Sequence, residues 1–209
     1  MLRLVVDPKA LDAAVVRKAA DAIRAGQVVA IPTDTLYGLA VDPFQLDAVR
    51  RIFAIKGRDP GRGLPLVAAD TEQIERQIGG LPLAGERLAA EFWPGPLTLL
   101  LPAPDGLVVE VGAATGTVGV RVPANDVTRA LCRAAGTLLT ATSANLSGQP
   151  ATDDPDVVAS RLASIDVLLD AGKTPGGEAS TIVDVSGAEV RLVRAGAVAW
   201  EAIDTCLRG

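Results

Sequence analysis

No histidine occurs anywhere in the 209 residues. That absence removes the imidazole base of Ser-His-Asp and Cys-His nucleophilic systems, and with it the HExxH type of zinc site. Any chemistry must rest on lysine, arginine, hydroxyls, carboxylates and backbone amides. Such a set suits phosphoryl or nucleotidyl transfer, where positioning and charge stabilisation do most of the work. Aromatic residues are scarce at 3 %, although 49 % of the chain is hydrophobic. The interior must therefore be built from Val, Leu, Ile and Ala, as in sheets whose two faces are covered by helices. Only two cysteines occur, Cys132 and Cys206. They match no metal spacing, so buried, non-catalytic thiols in a reducing compartment are expected. Asp7-Pro8 interrupts the amino terminus before any stretch of signal-peptide length, and no run approaches the ~18 apolar residues that span a bilayer. A cytoplasmic protein without membrane contact is expected, folded as one domain over 1–209.

Charge is present in an uneven pattern. The chain carries −5 overall, yet Arg50, Arg51, Lys56, Arg58 and Arg62 fall together with only Asp59 opposing them. Local charge against the global trend costs self-repulsion, and turn residues alternating with cations let backbone N–H groups converge with the charges. The segment Lys56-Gly57-Arg58-Asp59-Pro60-Gly61-Arg62-Gly63 has that form, and an anion site, most simply for phosphate, is favoured over a solvated helix face. The acidic remainder argues against a general nucleic-acid surface.

Apolar runs alternate with amphipathic ones, which predicts an α/β fold with a mixed, open twisted sheet flanked by helices. Asp7-Pro8 reads as the cap of a first helix, and Val28–Ile31 as a strand running into the polar loop Thr33-Asp34-Thr35-Leu36-Tyr37-Gly38. A second hydroxyl and amide loop, Thr142-Ser143-Ala144-Asn145, follows the strand Leu138–Ala141. Hydroxyl-rich loops at the carboxyl ends of strands are where α/β sheets place ligands. Arg121 lies among apolar neighbours in the strand Val118–Val122, where an unpaired guanidinium is expensive, so it needs an anion. Gly172-Lys173-Thr174 mimics the end of a Walker A loop, but Val167 stands where the first glycine belongs and Pro175 blocks the helix.

Five separated strings occur in order: Pro32-Thr33-Asp34-Thr35-Leu36-Tyr37-Gly38-Leu39, Lys56-Gly57-Arg58 with Arg62-Gly63, Trp93-Pro94-Gly95-Pro96-Leu97-Thr98, Val120-Arg121-Val122-Pro123, and Ser143-Ala144-Asn145-Leu146-Ser147-Gly148. With Ser180-Thr181-Ile182-Val183-Asp184 and Arg194-Ala195-Gly196, they resemble the YrdC/Sua5 family of threonylcarbamoyl-AMP synthases over about residues 10–196. The resemblance implies an open twisted sheet around a positively charged concave cavity, in the short form without the carboxyl-terminal Sua5 domain. It implies synthesis of threonylcarbamoyl-AMP and pyrophosphate from L-threonine, bicarbonate and ATP, for the t6A modification of tRNA. Mg²⁺ would arrive on the nucleotide, with no protein-held metal. The product would pass to a downstream threonylcarbamoyl transferase complex, which leaves room for a weak tRNA contact.

Carried over position by position, the resemblance makes Lys56 and Arg58 the catalytic clamp on the triphosphate, with Arg62 at its edge. Thr117, Ser143, Asn145 and Arg194 become further ATP contacts. Thr33, Thr35, Arg121, Ala141 and Ser180 become the L-threonine site, with Arg121 facing the carboxylate. Asp59 and Thr142 depart from the pattern, standing where many relatives carry proline. Trp93 reads as a structural corner. Two alternatives remain open, an RNA-binding module whose cationic loop grips phosphates and a related ATP-dependent carbamoyl-transfer domain.

Overall fold

The structure, a computed structural model, describes residues 1–59, 61, 63–112 and 115–209. Strand β1 (Leu2–Val5) leads through a tight turn into helix α1 (Ala13–Arg24). The cap is Asp12, whose carboxylate accepts from Ala14 N–H at 2.7 Å, rather than Asp7. Asp7 closes its own turn by accepting from Lys9 N–H at 2.8 Å. Both aspartates satisfy the same local rule, and burial decides between them. The helix starts where Val16, Ala19, Ala20 and Ile23 fall on one buried face.

The chain continues through β2 (Val29–Ile31), β3 (Gly38–Ala40), α2 (Leu46–Lys56) and β4 (Leu66–Val67). Two helices follow, α3 (Thr71–Gln77) and α4 (Leu83–Phe92), then β5 (Leu97–Pro102), β6 (Thr117–Arg121) and α5 (Asp126–Ala135). The last part holds β7 (Leu139–Thr140), β8 (Thr142–Ser143), α6 (Pro155–Arg161) and β9 (Val167–Asp170). It closes with β10 (Thr181–Asp184), β11 (Arg191–Arg194) and α7 (Trp200–Arg208). Asn125 caps α5 by accepting from Thr128 N–H at 3.0 Å, and Gly136 ends it in the left-handed conformation, φ 75°. The corner at Trp93 is structural: its indole N–H donates to Leu97 O at 2.7 Å.

Mixed pairing is as expected, but the strands form two ladders instead of one. One runs β1-β9-β2-β3-β8 and the other β11-β10-β5-β6-β4-β7. Strands β1, β9 and β2 are parallel, and β2-β3-β8 antiparallel. In the larger sheet β10 is parallel to β5 and β4 to β6, the other pairs antiparallel. Consecutive residues of β2 serve different cores: Ala30 packs with Leu39, Ile52 and Leu99, while Val29 and Ile31 pack with Ile23, Leu131 and Leu169. A strand buried on both faces needs small branched side chains in unbroken sequence, which explains the shortage of aromatics. Each such Ile or Leu contributes about 1.5–3 kcal/mol on burial.

Only Ala141 separates β7, in the larger sheet, from β8, in the smaller. The chain crosses between sheets there, between β3 and β4 through α2, and again between β9 and β10. The loop after β2 lies against the crossing that follows β9, where Tyr37's hydroxyl donates to Gly172 O at 2.7 Å, and against the segment before α6, where Tyr37 N–H donates to Thr152 O at 3.0 Å.

Candidate active site

A cleft of about 560 Å³ is lined by residues of both sheets and of the segments that cross between them. Thr33, Thr35, Ala141 and Ser180 line it, as do Arg58, Thr117, Arg121, Ser143 and Arg194. Nine of the residues singled out in the sequence thus share one cavity. Its described lining contains three guanidinium groups and no carboxylate. Arg62 lies outside the described residues.

The loop after β2 is built from its own hydroxyls. Thr33 Oγ1 donates to Leu36 O at 2.7 Å, accepts from Thr35 N–H at 3.1 Å, and lies 3.1 Å from Thr35 Oγ1. The carbonyl of Thr35 accepts twice, from Thr174 Oγ1 at 2.7 Å and from Gly176 N–H at 2.9 Å. The false Walker residues therefore have a structural use, Thr174 holding this loop and Lys173 pairing with Asp154 at 3.0 Å.

A second hydroxyl pair joins β5 to the residue before β10, Thr98 Oγ1 and Ser180 Oγ at 2.9 Å. Arg194, from β11, donates to Ser180 O through Nη2 at 2.6 Å and Nε at 3.2 Å, which fixes the guanidinium at the cleft wall. Gly196 makes this contact possible, because a Cβ there would lie 2.2 Å from Ala179 O. Burial lowers the proton affinity of Arg194 below its ordinary value. Thr117 sits at the far rim, its Oγ1 3.0 Å from Thr115 Oγ1.

Arg121 ends β6 with only 9 % of its side chain exposed, and its Nη1 lies 3.0 Å from Asp34 Oδ1, whose side chain is equally buried. Burial pulls this guanidinium down from its ordinary value; Asp34 opposes the shift and the charge of Arg194 adds to it. The anion that the sequence demanded for Arg121 is thus supplied in part by the protein.

Lys56 and Asn145 are placed differently from the expectation. Neither is in the described lining of the cleft. Lys56 is 3 % exposed at the end of α2, and its ammonium donates to Ser143 O, to Asn145 O at 2.8 Å and to Asn145 Oδ1 at 3.1 Å. Its own carbonyl accepts from Ser147 N–H at 2.8 Å. Four bonds thus staple the end of α2 to the Ser143–Ser147 loop. Burial, with Arg58's charge adding, lowers the ammonium from 10.5 to about 8. Gly57 turns the chain at φ 57°, a conformation that favours glycine, and Arg58 then reaches the cleft. Its Nη1 donates to Thr142 Oγ1 at 3.0 Å and its Nη2 to Gly63 O at 2.9 Å. Threonine at position 142, a departure from the pattern, supplies an acceptor that proline lacks. Ser143 Oγ donates to Asn145 Oδ1 at 2.5 Å, so Asn145 orders the loop that carries Ser143 into the cleft.

Sequence reasoning gave Asp34 and Thr98 no role in the site and read Thr142 only as a departure from the pattern. Thr98 had a signal, a lone hydroxyl within the apolar run Leu97–Leu101. Asp34 had one as well, the buried cation that it answers. Among the described residues no group of three His, Cys, Asp or Glu side chains could hold a metal, and no helix is long and apolar enough to cross a membrane.

Comparisons with known proteins agree with this fold. Residues 21–196 match the profile of the Sua5/YciO/YrdC family, whose description is "Telomere recombination". The threonylcarbamoyl-AMP synthase of Pyrococcus abyssi is 37 % identical over 190 residues, 90 % of this chain and 56 % of that protein. The enzyme of the same name from Bacillus subtilis is 37 % identical over 194 residues, 92 % of this chain and 56 % of its own length. The chain therefore spans little more than half of these relatives. The crystal structure of P. abyssi Sua5 complexed with L-threonine superposes with a TM-score of 0.93 at 34 % identity, covering 99 % of this chain and 61 % of that one.

Proposed function

The chain belongs to the Sua5/YciO/YrdC family, and from that premise we propose that it makes threonylcarbamoyl-AMP and pyrophosphate from L-threonine, bicarbonate and ATP, as a nucleotidyltransferase. The observation that carries the reading is the cleft itself, in which two hydroxyl-bearing walls face three guanidinium groups without a lining carboxylate. Relatives named for this activity, and one solved with L-threonine bound, support it. The substrates are two anions and one zwitterion, and a positively charged cleft is complementary to them.

In this reading Arg121 takes the threonine carboxylate, while Thr33, Thr35, Ala141 and Ser180 surround the rest of the amino acid. Arg58, Arg194, Ser143 and Thr117 take the nucleotide, and Arg62 belongs to the edge of the same clamp. Lys56 and Asn145 act by holding the Ser143 loop. Micromolar nucleotide affinity corresponds to about −8 kcal/mol, and each hydrogen bond to a charged group contributes roughly 1.5–3 kcal/mol, so several such contacts are needed.

Threonine's ammonium first gives up a proton to solvent, and the free amine adds to bicarbonate with loss of water, giving a carbamate whose anionic oxygen is already a nucleophile. That oxygen attacks the α-phosphorus, the bond to the bridging oxygen breaks, and pyrophosphate leaves with the electron pair. No strong protein base is required, which suits a chain without histidine. The protein's contribution is alignment, for which effective molarities on the order of 10⁵ M or more are attainable. It also neutralises charge on the departing pyrophosphate through Arg58 and Arg194. Mg²⁺ is carried by the nucleotide, not by a protein site.

The whole activity is read onto one domain, 1–209, of a cytoplasmic protein whose product passes to a threonylcarbamoyl transferase acting on tRNA. The test is pyrophosphate release by the purified protein. Release is expected only when ATP, L-threonine and bicarbonate are supplied together; release that ignores threonine rejects the reading.

A further inference from the structure

Asp34 has no part in the reaction as proposed, yet it is among the most constrained side chains of the site. Both partners of its contact with Arg121 are 9 % exposed and 3.0 Å apart. Asp34 itself is absent from the described lining of the cleft, whereas Arg121 lines it. Its second oxygen accepts from Ala124 N–H at 3.1 Å. One carboxylate thus joins the loop after β2, the end of β6 and the turn before α5.

The contact with Arg121 is one of charge. Asp34 Oδ1 and Arg121 Nη1 approach closely without hydrogen-bond geometry, and both atoms are buried. A guanidinium carries five N–H donors in a rigid fork. Among the described residues Arg121 makes no other ion pair, so the donors remain available to a ligand in the cleft it lines. Burying that cation beside the like charge of Arg194 is costly, and a neighbouring carboxylate offsets the cost.

We propose that Asp34 is a positioning residue that makes Arg121 a receptor for the substrate's α-carboxylate. It anchors the guanidinium at the floor and reduces its net field, so that the fork prefers a single flat carboxylate. A polyphosphate, which responds to net charge, is left to Arg58 and Arg194. This assignment rests on the threonine reading above and concerns how that site selects its ligand.

The test compares L-threonine with L-threoninamide, which lacks the carboxylate's charge, in pyrophosphate release by wild type, Asp34→Asn and Asp34→Glu, with melting curves on each protein. Asp34→Asn should raise the KM for threonine about 10- to 100-fold, the range of losing one charged hydrogen bond from a misplaced Arg121 to the substrate carboxylate. The KM for ATP and turnover of the amide should change less than about threefold, so the preference for the carboxylate collapses. Asp34→Glu should recover part of it. The assignment is overturned if threonine and threoninamide suffer alike, if the KM for ATP rises in parallel, or if Asp34→Asn binds threonine more tightly. Should Asp34→Asn not fold, Asp34→Glu decides by the same ratio, since its displaced carboxylate must lower the preference below wild type. A wild type that ignores threonine rejects the reading itself; a normal wild type with an unchanged ratio in the variants rejects the role of Asp34 alone.

Discussion

Lys56 shows how a residue type can be legible and its posture not. Its place in a cationic run pointed to phosphate, and in sequence nothing distinguishes it from Arg58 two residues on. In the fold they diverge because Lys56 is the last residue of α2 and turns inward, while Arg58 follows the left-handed Gly57 and turns toward the cleft. An ammonium held at about 8 is cationic at neutral pH and loses its charge as pH rises through that value. The unfolded chain keeps the proton up to 10.5, so burial of the charge costs stability below pH 8, and the cost fades between 8 and 10.5. A polyphosphate bound beside Arg58 reverses the bias and favours the charged form. ATP binding just above pH 8 should therefore take up a proton, read by calorimetry in buffers of different ionisation enthalpy. In Lys56→Met the uptake should vanish, and the KM for ATP should rise about tenfold or more as three acceptors of the Ser143 loop lose their donor. Equal uptake in both proteins would remove Lys56 from the nucleotide's surroundings. Arg121 was the better-read residue: a cation in an apolar strand demands an anion whatever the fold. That Asp34 is one such anion was hidden, since 87 residues separate them and Asp34 follows a strand of the other sheet, so only the packing of the fold brings them together.

At the scale of elements, most helices and strands were readable from period and punctuation. Asp70, Asn125 and Asp154 each cap a helix with a side chain of the type that the capping rule favours. Strand β3 was not read: the polar loop expected over 33–38 ends on its first residue, Gly38, and its strand character comes from pairing with β2 and β8, which no local signal reports. The Arg194-Ala195-Gly196 string was legible as a motif but not as packing. It brings the backbone after β11 against Ala179 and Ser180, with Ala197 N–H donating to Ala179 O at 3.0 Å. In Gly196→Ala the new methyl would lie 2.2 Å from Ala179 O and 2.7 Å from Ser180 C. Relief requires the strand exit to move, a distortion worth about 1–3 kcal/mol and a melting temperature lower by roughly 2–10 °C for a chain of this size. Because Arg194 and Ser180 move with it, ATP and threonine should both bind more weakly. Wild-type melting with wild-type affinities would show that the close approach is not needed.

For the whole molecule, composition was enough to give the class: small branched residues in unbroken runs mean strands buried on both faces. It was not enough to show that the strands divide between two ladders, because a residue in β2 looks the same in sequence whichever core it serves. The cleft is a product of that division. The crossings at Ala141 and after β9 carry hydroxyl loops to one place, and the guanidinium groups arrive from the turn after α2, from β6 and from β11. If one cavity holds both substrates, each ligand should help to order the walls that the other uses. The direct measurement is a thermal-shift matrix with a non-hydrolysable ATP analogue, L-threonine and the two together. A shift for the pair larger than the sum of the separate shifts is expected, since a ligand stabilises the fold by RT ln(1 + [L]/Kd) and each lowers the other's Kd. A strictly additive pair, or threonine without effect in the nucleotide's presence, would contradict a shared cleft.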